Sequence, residues 1–290
     1  MPSQPSLEQI KSKVATVRRR HAAYGEVAAW MGDLLALTMR AQPPAPPLAQ
    51  DQANPAPGPW FEEGRSLYSP LSPPPDLEPI RALLTSLAAK TAARKGGREQ
   101  AAGLERLLAL PDDDLRGVLG AVLASDPPAQ ETAAQELGLD PQVLNLFLRL
   151  AMRPSLLALA QAACQGLDLT LWTAGHCPVC GSSPRLASLA GQGGQRTLHC
   201  SLCETAWRFN RRQCPFCQTQ EAEDLVVLLP EGEEGYRLDL CRRCGLYLKT
   251  LDLRSLTDPV VPLLDDLTTW HLDLVAQKYL AENPCKPQAS

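Results

Sequence analysis

The chain has 290 residues, enough to bury a sizeable core without cysteine crosslinks. A hydrophobic share of 44% with only 5% aromatic residues favours helices packed through Leu, Ala and Val, and argues against an all-β sandwich. The formal net charge of −4 lacks the basic excess expected of a nucleic-acid-binding chain.

The first 170 residues have the pattern of an all-α domain. From Ser6 to Arg40, apolar residues recur at three- and four-residue steps, which predicts one or two amphipathic helices. The Pro- and Ala-rich stretch 42–59 cannot continue a helix and predicts an exposed extended loop. Further helices are predicted over residues 76–94, 98–110, 112–124, 129–137 and 141–165, with Pro154 starting or kinking the last segment.

The composition changes at Thr173, where Gly, Ser, Thr, Arg and paired Cys replace Leu and Ala. Short β-prone runs lie over 196–198, 206–209, 225–229 and 236–240, and a helical pattern returns over 262–282. These patterns predict an α+β chain with a helical domain over residues 1–170, metal-binding modules over 171–255, and a C-terminal helix and tail over 256–290.

Eight of the ten cysteines form four Cys-x-x-Cys turns, here called knuckles. Such a gap lets both sulfurs of one tight turn face a single cation, so two knuckles complete a tetrahedral four-sulfur site. The sequence therefore predicts two metal ions, each iron or zinc, held by these cysteines: Cys177, Cys180, Cys200, Cys203, Cys214, Cys217, Cys241 and Cys244.

The spacing leaves the pairing of knuckles open. Pairing consecutive knuckles gives connectors of 19 and 23 residues, close to ribbon-type spacing, and puts one Gly-backed knuckle in each site. Pairing the first with the third and the second with the fourth also gives one Gly-backed knuckle per site. Disulfides are disfavoured because no secretion signal is recognised, and a thioredoxin-like motif is disfavoured because no βαβ unit fits around the pairs.

Four other residues near this region compete as ligands. Cys164 lies at a helix end and is predicted to be a small buried hydrophobe, whereas Cys285 lies in a polar tail and is predicted to be a bystander. His176 and His199 directly precede ligand cysteines, but eight cysteines already fill two sites. We expect supporting or surface roles for both histidines.

Motifs for catalysis and for membranes are absent from the sequence. There is no phosphate-binding loop, no nucleophile elbow and no His-Glu-x-x-His, so an independent enzyme is not expected. The N-terminal residues show no apolar signal region, and no apolar run of about 18 residues occurs, so we expect a cytoplasmic protein without membrane insertion.

The knuckles and their neighbours resemble those of the formate dehydrogenase accessory protein FdhE family. The resemblance spans about residues 171–280 and is carried by five segments: WTAGHCPVCGSSPR, LHCSLCETAW, RRQCPFC, YRLDLCRRCGLYLKTLD and DDLTTWHLDLVAQKYL. The N-terminal part resembles the family only in being helical and in preceding the knuckles.

The resemblance implies a cytoplasmic helper with a helical domain and two rubredoxin-like modules, needed for active respiratory formate dehydrogenase. The implied partner is the catalytic subunit that carries molybdenum or tungsten, bound before export. The implied ligand sets are Cys177, Cys180, Cys200 and Cys203 for one site, and Cys214, Cys217, Cys241 and Cys244 for the other.

Other functions of the metal modules are also compatible with the sequence. The metal modules could take part in redox or sulfur chemistry, or could be purely structural. Arg208, Arg211, Arg212, Arg242 and Arg243 suit a nucleic-acid-binding zinc ribbon, but they also offset thiolate charge, and no nucleic-acid partner is expected. The knuckles alone would suit a rubredoxin-like electron carrier. The native metal and the oligomeric state are open.

Overall fold

The computed structural model describes residues 5–41, 61, 63–67, 76–165 and 167–285. The predicted loop over 42–59 lies outside these residues. The chain forms two compact units, one made of Met1–Gly32, Gln50–Leu67 and Ala163–Ser290, and the other of Asp33–Ala49 and Tyr68–Ala162. The domain boundaries at residues 170 and 255 concern which regions fold independently, and they remain a prediction.

The helical part follows the predicted periodicity closely. Ser6 caps the first helix, because its hydroxyl accepts from the Gln9 amide at 3.2 Å while the Gln9 side chain accepts from the Ser6 amide at 2.7 Å. The helices are α1 (Leu7–Arg20), α2 (Gly25–Arg40), α3 (Leu77–Ala92), α4 (Arg98–Leu108), α5 (Asp112–Leu123), α6 (Pro127–Leu137) and α7 (Pro141–Ala163).

The second unit has a leucine-rich core. Leu84, Leu104, Leu119 and Leu144 are fully buried, as an apolar stripe on each helix requires. Helix α7 runs through Pro154 without a break. Among the described residues it is the one helix long and apolar enough to cross a membrane, but 67% of its apolar window is buried, as in the core helix of a folded domain.

A six-stranded sheet carries the cysteine region. Its strands are β1 (Pro184–Ala190), β2 (Gln195–Cys200), β3 (Ala206–Arg208), β4 (Leu225–Leu228), β5 (Tyr236–Cys241) and β6 (Tyr247–Asp252), in the order β3-β2-β1-β6-β5-β4. Neighbours are antiparallel except β1 and β6, which run parallel with Ala187 opposite Thr250. The sequence pattern pointed to β2, β3, β4 and β5 but not to β1 and β6.

The sheet consists of two modules with the same order of elements. In each module a knuckle is followed by two strands, a second knuckle and a third strand. The first module contains β1, β2 and β3, and the second contains β4, β5 and β6. The repeated unit therefore includes the strands as well as the knuckles.

Two helices, and not one, close the chain. The helical pattern over 262–282 is divided into α8 (Pro262–Thr268) and α9 (Trp270–Glu282). The break lies at Thr269, whose hydroxyl donates to the Asp265 carbonyl at 2.6 Å and so competes with the helical backbone. Leu272 and Ala276 of α9 pack on Leu238 and Leu240 of β5. The predicted α+β class, with helices before the sheet modules and helix after them, is confirmed.

Helix α1 is joined to α8 by a buried ion pair. Lys13 Nζ lies 2.5 Å from Asp265 Oδ1, and both side chains are almost inaccessible to water. The second carboxylate oxygen accepts from the Val261 amide at 2.7 Å, so the buried charge has two partners. Removing one member would leave an uncompensated charge, which typically costs about 3–5 kcal/mol.

Candidate metal centres

The first and second knuckles come together in the first module. Cys177 and Cys180 lie in the turn before β1, and Cys200 and Cys203 lie in the turn between β2 and β3. Pairing of β1 with β2 places Pro184 opposite Cys200 and thereby brings the two turns to one end of the strands. The Sγ atoms of Cys177 and Cys203 are 3.6 Å apart, and those of Cys180 and Cys200 are 3.5 Å apart.

The third and fourth knuckles come together in the second module. Cys214 and Cys217 precede β4, and Cys241 and Cys244 lie in the turn between β5 and β6. The Sγ atoms of Cys214 and Cys244 are 3.8 Å apart, and those of Cys217 and Cys241 are 3.6 Å apart. In each cluster all four sulfurs lie within 4.8 Å of one another. The structure thus groups the cysteines by consecutive knuckles.

All four knuckles share one backbone pattern. The amide of the first cysteine donates to the carbonyl five residues later: Cys177 to Ser182, Cys200 to Thr205, Cys214 to Thr219 and Cys241 to Leu246, at 2.8–2.9 Å. Amide groups also point at sulfur, since Leu202 and Cys203 donate to Cys200 Sγ and Phe216 donates to Cys214 Sγ. Such donors spread the negative charge of a thiolate.

Each knuckle needs a left-handed residue directly after its second cysteine. Gly181 and Gly245 have φ of +74° and +72° there, and Glu204 and Gln218 have φ of +56° and +63°. The glycines adopt this conformation without strain, whereas Glu and Gln do so at some steric cost. The sequence suggested this turn for two knuckles only, because the other two have no glycine.

The sulfur spacing fits a tetrahedral metal. A Zn–S bond of about 2.3 Å implies about 3.8 Å between sulfurs in a regular tetrahedron. The measured distances of 3.5–3.8 Å agree with that value. They are far longer than a disulfide bond of about 2.05 Å, and all eight cysteines are reduced. Four thiolate donors suit zinc and iron alike, so the geometry does not choose between these metals.

The sulfurs of the first cluster cannot all carry charge without a cation. Hydrogen bonds from Cys177, Cys200 and Cys203 hold the pKa of Cys180 well below its usual value. Burial raises the pKa of Cys177, and the hydrogen bond to Cys177 raises the pKa of Cys203. Raised pKa values favour the protonated thiols of Cys177 and Cys203, whereas a divalent cation would favour release of those protons.

The two clusters differ in exposure. Every cysteine of the first cluster is buried, whereas Cys217 and Cys244 of the second are partly exposed. Burial raises the pKa of Cys214 to about 11. Burial also acts on Cys217, but hydrogen bonds from the Thr219 amide and the Cys241 thiol outweigh it and lower its pKa.

Several arginines near the knuckles have structural partners. Arg185 donates to Asp266 of α8 at 2.8 Å and to the Ser201 carbonyl at 2.9 Å. Arg196 is buried, lies 3.4 Å from Asp239 and donates to the Gln213 carbonyl. Arg196 therefore links the first module to the second, and Arg185 links the first module to α8.

His176 and His199 directly precede cluster cysteines, and each contacts a group outside the clusters. His176 Nε2 lies 2.8 Å from the Gly64 carbonyl, and its own carbonyl accepts from Trp172 Nε1. His199 is buried, lies 2.8 Å from Ser188 Oγ, and burial lowers its pKa to about 4. These contacts agree with the supporting roles expected for the two histidines.

The two remaining cysteines lie outside both clusters. Cys164 is buried, and burial raises its pKa to about 11, which makes it an inert apolar side chain. Cys285 is exposed. Its sulfur would lie only 2.7 Å from a Cβ added to Gly245, so this tail residue contacts the fourth knuckle, a contact that the sequence did not suggest.

A short segment remote in sequence covers the first knuckle. Ser66 Oγ donates to the Cys177 carbonyl at 3.0 Å, and the Leu67 amide donates to the Pro178 carbonyl at 2.8 Å. Phe61 packs edge-on against Trp172 with ring centroids 4.9 Å apart. Residues 61–67 have no periodicity that could have predicted this role.

Gly175 lies in the segment that leads into the first knuckle, and it contacts the third knuckle. A Cβ at this position would be 1.8 Å from the Pro215 carbonyl oxygen and 2.5 Å from Gln218 Nε2. No side chain fits there. The backbone of the two modules meets at this glycine, which links the surroundings of the two clusters.

The fold and the two clusters define a class: a protein with tandem zinc-ribbon-like, metal-binding modules after a helical region. Within that class, the model of "FdhE, central domain" matches residues 176–211, which include the whole first cluster. Residues 176–211 thus resemble the FdhE central domain, and the expected resemblance to the FdhE family is confirmed.

Curated relatives are similar in sequence to this chain, and a solved structure is similar in fold. The chain is 31% identical over 146 residues to "Protein FdhE homolog" of Aquifex aeolicus, covering 49% of this chain and 50% of that one. It is 33% identical over 187 residues to "Protein FdhE homolog" of Haemophilus ducreyi, covering 59% and 60%. The aligned part therefore spans little more than half of these relatives. The crystal structure of the FdhE protein from Pseudomonas aeruginosa has the same fold, with a TM-score of 0.71, 22% identity and coverage of 96% and 93%.

Proposed function

We propose that this chain is a cytoplasmic accessory protein, not an enzyme, for the formation of active formate dehydrogenase, and that it binds the catalytic subunit of that enzyme. The observation that carries the proposal is the pair of four-cysteine clusters in an FdhE-like fold. Both the helical region and the metal modules would contribute to the contact with the client.

The proposal includes two metal ions, iron or zinc. Cys177, Cys180, Cys200 and Cys203 would hold one ion, and Cys214, Cys217, Cys241 and Cys244 would hold the other. A bound ion would neutralise thiolate charge and crosslink two knuckles, which a small three-stranded module needs because its own core is slight. The support is the sulfur spacing of 3.5–3.8 Å together with the shared amide pattern.

Elemental analysis tests the metal assignment. Protein purified without oxygen should contain about two equivalents of iron plus zinc, and replacement of either cluster's first knuckle by alanines should remove about one. Cys164→Ala is the matched control, since Cys164 is a cysteine of the same unit that belongs to neither cluster. Well-folded protein with no metal would refute the assignment.

Affinity capture from the native host tests the client. The wild-type chain should recover the formate dehydrogenase catalytic subunit, and Cys177→Ala with Cys180→Ala should recover much less, because two sulfurs cannot hold a tetrahedral centre with comparable strength. Formate dehydrogenase activity is measured in the same strains, with circular dichroism to detect misfolding.

The two readouts separate docking from chemistry. Retained capture with lost activity would assign the first cluster a chemical role, and loss of both in a folded variant would assign it to docking. Equal capture and equal activity would leave the first cluster purely structural. Failure of the wild-type chain to recover the catalytic subunit would refute the proposed client.

A rubredoxin-like electron carrier is the second candidate, and the partial exposure of Cys217 and Cys244 favours it. A reachable iron–sulfur centre can exchange electrons with a partner, whereas a closed one is inert. A reversible one-electron wave in voltammetry of the iron-loaded protein, abolished by Cys214→Ala with Cys217→Ala, would support this candidate.

A further inference from the structure

We propose that β4 is a docking edge for an extended, apolar segment of another protein that carries Lys or Arg beside its apolar stretch. Strand β4 is the last strand of the sheet and pairs only with β5 among the described residues. In an antiparallel pair, alternate residues of the outer strand point their amide and carbonyl groups away from the partner. Such groups can pair with one more strand.

The side chains of β4 divide between the two faces of the sheet. Val226 and Leu228 pack on the core cluster beneath α9, which fixes the strand. On the other face, Val227 is 50% exposed, and Leu229, directly after the strand, is 77% exposed. An added strand would bring apolar side chains next to this exposed pair.

The edge lacks the features that usually prevent strand addition. Natural edge strands carry inward or central charges, a proline or a bulge. The run Leu225 to Leu229 has no charge and no proline, and Pro230 comes only after it. The opposite edge of the sheet is shorter, three residues against four, and carries Arg208.

Charge on both sides of β4 indicates which segment fits. Residues 221–234 contain six acidic side chains and no Lys or Arg, with the acids placed before and after the apolar run. Glu233 is engaged by His271 at 2.8 Å, while Glu231 and Glu234 are exposed. Arg243 is exposed near the Leu225 end, so the acidic field is strongest at the Glu231 end.

A second copy of this chain fits the edge poorly. Two-fold antiparallel pairing centred on Val227 would bring the acidic residues before β4 of each copy, such as Glu223, towards those after β4 of the other, such as Glu231. Like charges directly opposite one another destabilise a strand pair. The same acids attract a segment with Lys or Arg in those positions, so the charges select a different partner. This inference concerns the sheet edge and stands whether or not the proposed client is correct.

Peptide binding to the full-length protein tests the proposal. The probe is a fluorescein-labelled peptide of alternating Thr and Val with lysines at both ends, compared with the same peptide ended by glutamates. The lysine peptide should bind at least about tenfold more tightly at low salt, and the difference should shrink with added salt as screening increases. A version with N-methylated backbone amides should not bind, because strand addition needs main-chain hydrogen bonds.

Substitutions in and beside β4 test whether the peptide binds at that strand. Val227→Lys with Leu229→Lys should weaken binding by about tenfold or more, and Glu231→Gln with Glu234→Gln by severalfold. The matched controls should have no effect: Leu171→Lys, which is 58% exposed elsewhere, and Glu105→Gln with Glu136→Gln on exposed helix positions. Hydrogen exchange should slow within residues 225–229 when the lysine peptide is added.

Three results would overturn the proposal. One is equal binding of the N-methylated peptide, and another is an equal effect of the control variants. The third is self-association in sedimentation experiments that Val227→Lys with Leu229→Lys abolishes, since this would assign the edge to a second copy. Circular dichroism of each variant shows whether the sheet is intact, and the glutamine variant, which changes no apolar residue, keeps the test valid if the lysine variant misfolds.

Discussion

The two cysteine clusters have the same knuckle pattern but different surroundings. In both, backbone hydrogen bonds close each turn, and sulfurs from two turns lie 3.5–3.8 Å apart. The first cluster is enclosed, because Ser66 and Leu67 bond to its first knuckle, and the buried Trp172 and Trp207 donate to carbonyls just before that knuckle. In the second cluster Cys217 and Cys244 reach the surface.

The difference shows that local sequence sets ligand geometry while remote segments set access. A four-residue turn is enough to orient two sulfurs. Shielding those sulfurs from water requires segments that are distant in the sequence. Residues 61–67, for example, lie more than a hundred positions before the first knuckle. We therefore expect the first cluster to be the structural one and the second to be the reactive one.

Loss of a whole cluster should have the largest effect. Cys177→Ser with Cys180→Ser should destabilise the sheet by at least about 4 kcal/mol, because structural zinc contributes about 10–16 kcal/mol in finger peptides and half its ligands would be gone. Cys214→Ser with Cys217→Ser should cost less, since two of that cluster's cysteines are only partly buried. Denaturant unfolding of the two metal-loaded variants gives the comparison.

Limited proteolysis sharpens that result. In the Cys214 and Cys217 variant, cleavage should concentrate between Cys200 and Lys249 and release a resistant fragment ending near Leu171. Uniform digestion of the whole chain would show that the helical region does not fold independently of the modules.

Thiol labelling should separate the clusters kinetically. The second cluster should react with an alkylating reagent about a hundredfold faster than the first, because two of its cysteines are partly exposed and need no opening of the fold, whereas an opening free energy of about 2.7 kcal/mol slows a buried site by that factor. Mass spectrometry should find Cys217 and Cys244 modified before any other cluster cysteine. Equal rates would mean that both clusters open together.

Gly175→Ala should disturb both clusters at once. The added methyl group would overlap the Pro215 carbonyl and force the two modules apart, at a cost of about 2–3 kcal/mol. Labelling of the first cluster should then accelerate along with that of the second. Gly193→Ala is the matched control, because nothing lies within 4 Å of its added Cβ and its φ is not positive. Thermal unfolding of the two variants measures the difference.

Gly181→Ala should have the smallest effect. It forces a Cβ into the left-handed conformation at φ of +74°, which costs about 1–2 kcal/mol. The reverse change Glu204→Gly, at φ of +56° in the same cluster, should be neutral or slightly stabilising. Stabilisation by Gly181→Ala would contradict the assigned turn.

Much of the helical fold followed from the sequence because helix formation is local. The 3.6-residue spacing of Leu and Ala gave bounds close to those observed, and the structure shows that side-chain caps at Ser6, Asp76 and Asp126 set three of the helix starts. The closing helix was correctly located but not its break, since the bond from Thr269 to Asp265 appears only in three dimensions. Strands β1 and β6 were missed because they are paired with each other at the sheet centre, where burial on both faces removes the alternating pattern.

By itself, the sequence determined the chemistry: eight cysteines in four two-residue-gap turns, and an FdhE-like set of neighbours around them. Those are properties of short segments, and short segments carry their own geometry. Only the tertiary structure decided which knuckles share a cluster, which cluster is closed to water and which sheet edge is left unpaired among the described residues. Each of these three features depends on contacts between segments distant in the chain, such as Ser66 with Cys177 and Gly175 with Pro215. The spacing of residues in the sequence does not predict such contacts.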